Sequence, residues 1–196
     1  MSDPLLPIGD GHSELTDEDS DGLLPSYIAT RGELNDAEQR NIAAATLRRK
    51  SPTIEELLDD RYLRQLHEAM FGQVWKWAGT YRLRETNVGV EPDQIAVEVR
   101  NLVKDALAWI EFETFGSDEL ALRFHHRLVW IHPFRNGNGR HGRVCADALV
   151  QALGEPTFSW GARLAVETEQ LRDQYLRALR SADAGEITLL MEFARS

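Results

Sequence analysis

The sequence is short of three things, and each shortage excludes a class of protein. Cys145 is the lone cysteine, so no internal disulfide can form and a reducing, cytoplasmic location is expected. Positive charge is scarce: 22 Lys and Arg stand against 32 Asp and Glu, a formal net charge of −10. Nucleic acid and anionic membranes are bound through excess cationic charge, so neither is expected as a direct partner. Nowhere do about 18 apolar residues run together, which argues against a membrane span. The opening "MSDPLLPIGDGHSELTDEDSDG" is acidic where a secretory signal carries basic residues. What remains is 196 residues, 42% hydrophobic and 28% charged, the size and balance of one domain with a sizeable core.

Residues 1–25 mix Pro, Gly and acids without a helical period and read as an acidic N-terminal arm, with Leu5, Leu6, Ile8, Leu23 and Leu24 as points that can clip onto the body. Residues 26–196 form the domain. "GELNDAEQRNIAAATLRRK" is helical, with Leu34, Ile42 and Leu47 on its expected buried stripe. "SPTIEELLDDRYLRQLHEAMFG" follows, with Ser51 as cap, Pro52 in the first turn and Gly72 at the end. At about 80–92 the period breaks, and Thr, Tyr and Val around "TNVGV" predict a short β-hairpin flap. Helices resume in "QIAVEVRNLVKDALAWIEFE", "SDELALRFHHRLVWI" (capped by Ser117), "GRHGRVCADALVQALG", "VETEQLRDQYLRALRSA" and "EITLLMEFAR". The fold class is all-α: roughly seven helices in a bundle plus the flap. Trp75, Trp77, Trp109, Trp130 and Trp160 sit in apolar segments and are expected in the core.

Between two of these helices stands "WIHPFRNGNGRHGR", either a solvated turn or a site shaped around an anion. Gly137 and Gly139 permit backbone conformations that other residues resist. Successive N–H groups there can face one concavity, with the positive end of the next helix behind them. Asn138 adds a neutral donor and acceptor. Arg140 and Arg143, three apart, lie on neighbouring positions of one helical face and can close over phosphate oxygens. His132, just before the glycines, suits a general base acting on a hydroxyl. The same arrangement can instead be a helix-capping His with two solvent-facing arginines. His125, His126, His132 and His141 do not read as a zinc site. Adjacent His125 and His126 point roughly 100° apart on a helix, and the arginine pair repels a cation.

"HPFRNGNGR" followed by "HGR", residues 132–143, resembles the signature of the Fic family: His-Pro-Phe-x-acid/Asn-Gly-Asn-Gly-Arg-x-x-Arg. "LRQLHEAMFGQVWKWAGTYR" resembles the helix and turn before that family's flap, and "QYLRALRSADAGEITLLMEF" its closing helices. "IATRGELNDAEQRNI" is similar to the subgroup called mobile mystery protein B, which is associated with a small helix-turn-helix, antitoxin-like partner. The resemblance implies transfer of AMP from ATP to a Ser, Thr or Tyr hydroxyl of a target protein, with pyrophosphate leaving. His132 would be the base and Phe134 the buried anchor of the loop. Asn136 would help hold Mg²⁺; Gly137, Asn138 and Gly139 would cradle the α-phosphate region; Arg140 and Arg143 would hold the β and γ ends. Tyr175 and Asp183 resemble the wall of the nucleobase pocket. The flap would dock an extended target segment by strand addition.

The chain departs from the pattern at two places. Asn136 stands where many active members have an acid, which implies weaker metal binding. The strict inhibitory motif, Ser/Thr-x-x-x-Glu-Gly/Asn, is missing: Arg31-Gly32 occupies its place, and "SPTIEE" gives only the spacing of Ser51 and Glu55. Glu33 is the upstream candidate to reach Arg143, against the plainer reading of an acid favouring its own helix N-terminus. Gly139 stands where a phosphotransferase member of the family has Lys, which favours adenylyl transfer. The alternatives are a non-catalytic nucleotide-sensing interaction module, and transfer of another nucleotide or of phosphate.

Overall fold

The computed structural model describes residues 22–47 and 52–196. Eight helices appear among them: α1 (Arg31–Leu47), α2 (Ile54–Leu57), α3 (Asp60–Phe71), α4 (Ile95–Glu111), α5 (Ser117–Ile131), α6 (Asn138–Ala152), α7 (Thr168–Asp183) and α8 (Thr188–Arg195). The extra helix comes from a break in the second expected segment. Asp59 accepts from the N–H of Arg61 and Tyr62 and restarts the chain as α3. The cap of α2 is Thr53, in a capping box with Glu56; Ser51 lies outside the described residues. Gly72 does end α3, and Gly154, at φ +92°, follows α6. Gly116, with no side-chain bond, caps α5 in place of Ser117.

α5 and α6 make the most extensive helix pair. α1 packs on α3, α4 on α5, and α8 closes against α7 and α5. The core fills the space between with Leu63, Met70, Val99, Leu128, Leu149 and Leu190, all essentially inaccessible. The stripe of α1 is phased differently from the apolar expectation: Leu34, Ala37, Glu38, Asn41 and Ala45 are buried, while Leu47 is 86% exposed. Two polar residues occupy that stripe because each finds partners. Asn41 donates to the Ala69 carbonyl (2.9 Å) and accepts from the Gln73 N–H (2.9 Å). Of the tryptophans, Trp75 and Trp77 are buried and Trp109 and Trp160 half-buried, but Trp130 is exposed beneath the Arg127 guanidinium.

The expected hairpin at 80–92 does not form as strands. Among the described residues the one bridge joins Leu23 and Trp75, with Leu24 N–H donating to Val74 and Lys76 N–H to Gly22. Leu23 therefore docks the end of the arm on the body; residues 1–21, with Leu5, Leu6 and Ile8, lie outside the described residues. The main-chain N–H groups of the flap limbs bond to the end of α5 and the turn after it instead of forming a ladder. Arg82 N–H donates to Pro133 (2.9 Å) and Val90 N–H to Ile131 (3.3 Å).

Candidate active site

His132 ends α5 in the left-handed region, φ 53° and ψ 58°, a conformation costing a non-glycine residue about 1 kcal/mol. The turn carries the chain into "PFRNG" and reverses it at Gly137, φ +78°, the N-cap of α6. Glycine is required there twice over: a Cβ would stand 2.5 Å from the Phe71 ring. The loop folds around Phe134, fully buried and stacked on His67 with ring centroids 3.7 Å apart.

His67, on the buried face of α3, joins the loop to the rest of the domain. Its Nδ1 accepts from Gly79 N–H (3.0 Å), so in the neutral ring Nε2 is the donor, to the Asn136 carbonyl (3.0 Å). Burial, then the neighbouring His141, holds its pKa well below the usual imidazole value. His67 was missed by reading the motif alone; its signal is a polar residue inside the apolar stripe Leu63, Leu66, Met70.

The first intrahelical bond of α6 runs from His141 N–H to the Gly137 carbonyl, and no side chain caps the helix. The N–H groups of Asn138, Gly139 and Arg140 precede that bond and lie at the positive end of a 15-residue helix. Gly139 is helical. A Cβ there would only touch the Tyr175 hydroxyl at 3.6 Å, so this glycine widens the mouth of the nest and relieves no strain. Both asparagine side chains of the motif have partners within the loop. The Asn138 side chain is consumed by the loop, accepting from Phe134 N–H (2.9 Å) and donating to the Phe134 carbonyl (2.8 Å), so only its main chain is available to a ligand. The Asn136 amide oxygen accepts from Gly137 N–H (2.7 Å) and keeps one lone pair for a cation.

The two arginines lean to opposite sides of the nest. Arg140 pairs with Glu38 of α1 (2.7 Å) and lies over the Phe71 ring. Arg143 lies over the Tyr175 ring of α7, 5.5 Å from its centre. Glu38 is buried and also accepts from Trp75 Nε1 (2.7 Å); it was absent from the sequence-derived site because nothing local marks it. Glu33 does not meet Arg143. Its carboxylate accepts from Ala29 and Thr30 N–H (2.8 and 2.9 Å) at the start of its own helix, and those bonds lower its pKa. Tyr175 sits beside the nest, its hydroxyl 3.0 Å from His125 Nε2, and burial raises its pKa. Asp183 lies two turns further along α7 and pairs with His126 at 2.8 Å. The four histidines thus point to separate places, His141 Nε2 donating to the Leu63 carbonyl.

His132 is 9% exposed. Burial first, then the charge of Arg82, lowers its pKa to about 4, while an imidazole N–H donated to the Val129 carbonyl raises it. The ring is therefore neutral at neutral pH, with one nitrogen donating and the other carrying a lone pair. Chemically the motif offers an imidazole, the oriented N–H donors of a helix start and two guanidinium groups, one of them paired with Glu38.

Residues 57–150 match the Fic/DOC family. The proteins called protein adenylyltransferase Fic of Nematostella vectensis and Drosophila yakuba are 29% and 26% identical over 154 and 162 residues, covering 76% and 81% of this chain. The matches cover 33% and 30% of those proteins, so the chain spans about a third of their length. The N-terminal Fic domain of a Bartonella quintana effector, solved with bound ADP, superposes with a TM-score of 0.67 at 19% identity, over 87% of this chain and 86% of that one. The helical bundle is thus shared with that domain, and the part of the chain that is similar to the Fic/DOC family, residues 57–150, includes His132 and the Gly137 nest.

Proposed function

We propose that the chain is a protein adenylyltransferase, moving AMP from ATP to a Ser, Thr or Tyr hydroxyl of a target protein. The observation that carries the reading is the buried His132 imidazole, one short loop before the helix N-terminus of α6 that no side chain caps. His132 takes the proton of the target hydroxyl, whose oxygen forms a bond to the α-phosphorus as the bond to the β-phosphate bridge breaks and pyrophosphate leaves. The main-chain N–H groups of Asn138, Gly139 and Arg140 face the phosphates, and the Arg140 and Arg143 guanidinium groups neutralise charge on the departing end. Tyr175 packs beside the nucleotide, and Asp183 lies on the base side. The relatives named for this activity and the ADP in the Bartonella domain support the substrate class.

The donor set fits Mg²⁺ sparsely. Asn136 offers one neutral oxygen, and among the described residues no group of three or more His, Cys, Asp or Glu converges. Such an ion is held chiefly by ATP and water, as Mg²⁺ prefers; when bound it screens the phosphate charge. The single buried Cys145 suits a cytoplasmic setting. A small helix-turn-helix partner belongs to the reading through the N-terminal resemblance.

The test is intact mass of the protein, and of lysate proteins, after incubation with ATP and Mg²⁺, for wild type, His132→Ala and Arg143→Ala. An AMP-sized gain lost in His132→Ala is expected, a loss of about a thousandfold or more in rate. A phosphate-sized gain moves the chain to phosphotransfer. ATP binding with no gain, and no change on substitution of His132, makes it a nucleotide-sensing module.

A further inference from the structure

Arginine is rarely buried without an acid to meet it. Arg82 is 2% exposed, and the acceptors around its guanidinium are four main-chain carbonyls from three segments. Nε donates to His132 (2.7 Å), Nη1 to Arg84 (2.8 Å), and Nη2 to Val90 and, more loosely, Ile131 (3.5 Å). Its own N–H donates to Pro133 (2.9 Å). Ile131 and His132 are the end of α5, where carbonyls lack helical partners. Arg84 and Val90 belong to the two limbs of the flap.

We propose that Arg82 is the positioning residue of this site, a single planar fork that fixes the height of the flap and the orientation of His132 together. The inference rests on reading His132 as the base for a hydroxyl of a docked target segment. A plain helix cap would account for the bonds to Ile131 and His132, but not for those to Arg84 and Val90. Lysine carries the same charge on one rotating ammonium and cannot serve four carbonyls in a plane. Gly89 shows how tight the coupling is. At φ +104° it lies so close that a Cβ would stand 2.6 Å from His132 Cβ and 2.7 Å from Arg82 Nη2. The flap main chain therefore rests on the side chain of the base. The charges in play are few: Arg82 acts on His132, and Glu91 acts on Arg82 by raising a pKa that burial lowers.

The experiment compares the full chain with Arg82→Gln and Arg82→Lys, using imidazole titration and amide exchange read by NMR, with His132→Ala to assign the resonance. In Arg82→Gln the His132 midpoint is expected to rise by about one pH unit, and flap amides to exchange about tenfold faster than those of α4 and α6. In Arg82→Lys, which keeps the charge and loses the fork, the midpoint stays near wild type while the flap amides still loosen. If Arg82→Gln does not fold, Arg82→Lys decides alone. An unchanged flap in a folded Arg82→Lys, or a loosening spread evenly over all helices, overturns the proposal and leaves Arg82 a cap. Both readouts are independent of ATP, so a failure to transfer AMP sinks the proposed function without touching this result.

Discussion

The nest at the start of α6 and the flap packed against His132 are built by opposite means. The nest is a helix end braced from below by buried rings: Phe134 on His67, Phe71 under Gly137, Tyr175 tied to His125. The flap has no ladder and little buried side chain; Leu83 and Val88 are 79% and 51% exposed, and one guanidinium gathers its carbonyls. On the proposed reading the nest takes the triphosphate, and a rigid wall suits that role. On the same reading the flap receives an extended target segment, which suits main-chain groups held at the rim and left open. The difference also puts the two regions under different chemical control: neutral imidazoles hold the nest, a cation holds the flap.

The same difference explains what could be read from the sequence. The nest was legible because its glycine, asparagine and arginine positions are contiguous, and a turn between helices constrains each of them locally. Its supports were not. His67 and Glu38 are 69 and more than a hundred residues from the groups they hold, and each looks like an ordinary helix residue until α3 and α1 are in place. The flap misread has a similar cause. Alternating Thr and Val predict strands, but strands need a partner ladder. Here Pro133, Ile131 and the Arg82 side chain supply the partners. The phase of α1 was misjudged because Glu38 and Asn41 are polar yet buried, a choice decided by Trp75, Arg140 and Ala69 far along the chain.

Acid should break the nest before the flap, and this is the largest effect expected. Burial lowers the pKa of His67 well below its ordinary value and that of His125 to about 3. Below about pH 6.5 the unfolded chain binds protons that these folded rings refuse, so their stabilisation is present above that pH and is lost as pH falls toward the folded values. Asp147 has the opposite sign. Burial raises its pKa to about 6, so its contribution is present below the unfolded carboxylate value and lost as pH rises through about 6. His132, lowered to about 4, has the same sign as His67 and His125, so three imidazoles stand against one carboxylate. Denaturant unfolding should show stability falling as the pH drops from about 7 to about 4, with exchange protection lost first where His67 joins Gly79 to Asn136. An unchanged stability over that range would mean the imidazoles titrate freely.

A paired glycine substitution sharpens the contrast. Gly137→Ala forces a Cβ into the Phe71 ring at a left-handed position, and the ring, 1% exposed, has nowhere to go. A loss of about 3 to 4 kcal/mol is expected, visible as a large drop in Tm and in ATP affinity. Gly89→Ala meets His132 and Arg82 at similar distances, but the flap can lift into solvent. Its stability should fall by about 1 kcal/mol, while transfer to a target falls about tenfold. If Gly89→Ala destabilised as strongly as Gly137→Ala, the flap would be a wall like the nest.

The smallest effect separates two acids of α1. Glu33 caps its own helix from the surface, whereas Glu38, five residues on, is buried against a motif arginine. Truncating an exposed cap removes a local acceptor for Ala29 and Thr30, so Glu33→Ala should lower Tm by about 2 °C and leave transfer at the wild-type level. The comparison turns on that second reading. A rise in transfer with Glu33→Ala would require the carboxylate to leave the Thr30 turn and reach the nest. α1 would then have to shift along its axis against the burial of Leu34 and the hydrogen bonds of Asn41 to Ala69 and of Glu38 to Trp75. Unchanged transfer with a lower Tm keeps Glu33 a local cap and leaves Glu38 as the acid through which the helix touches the site.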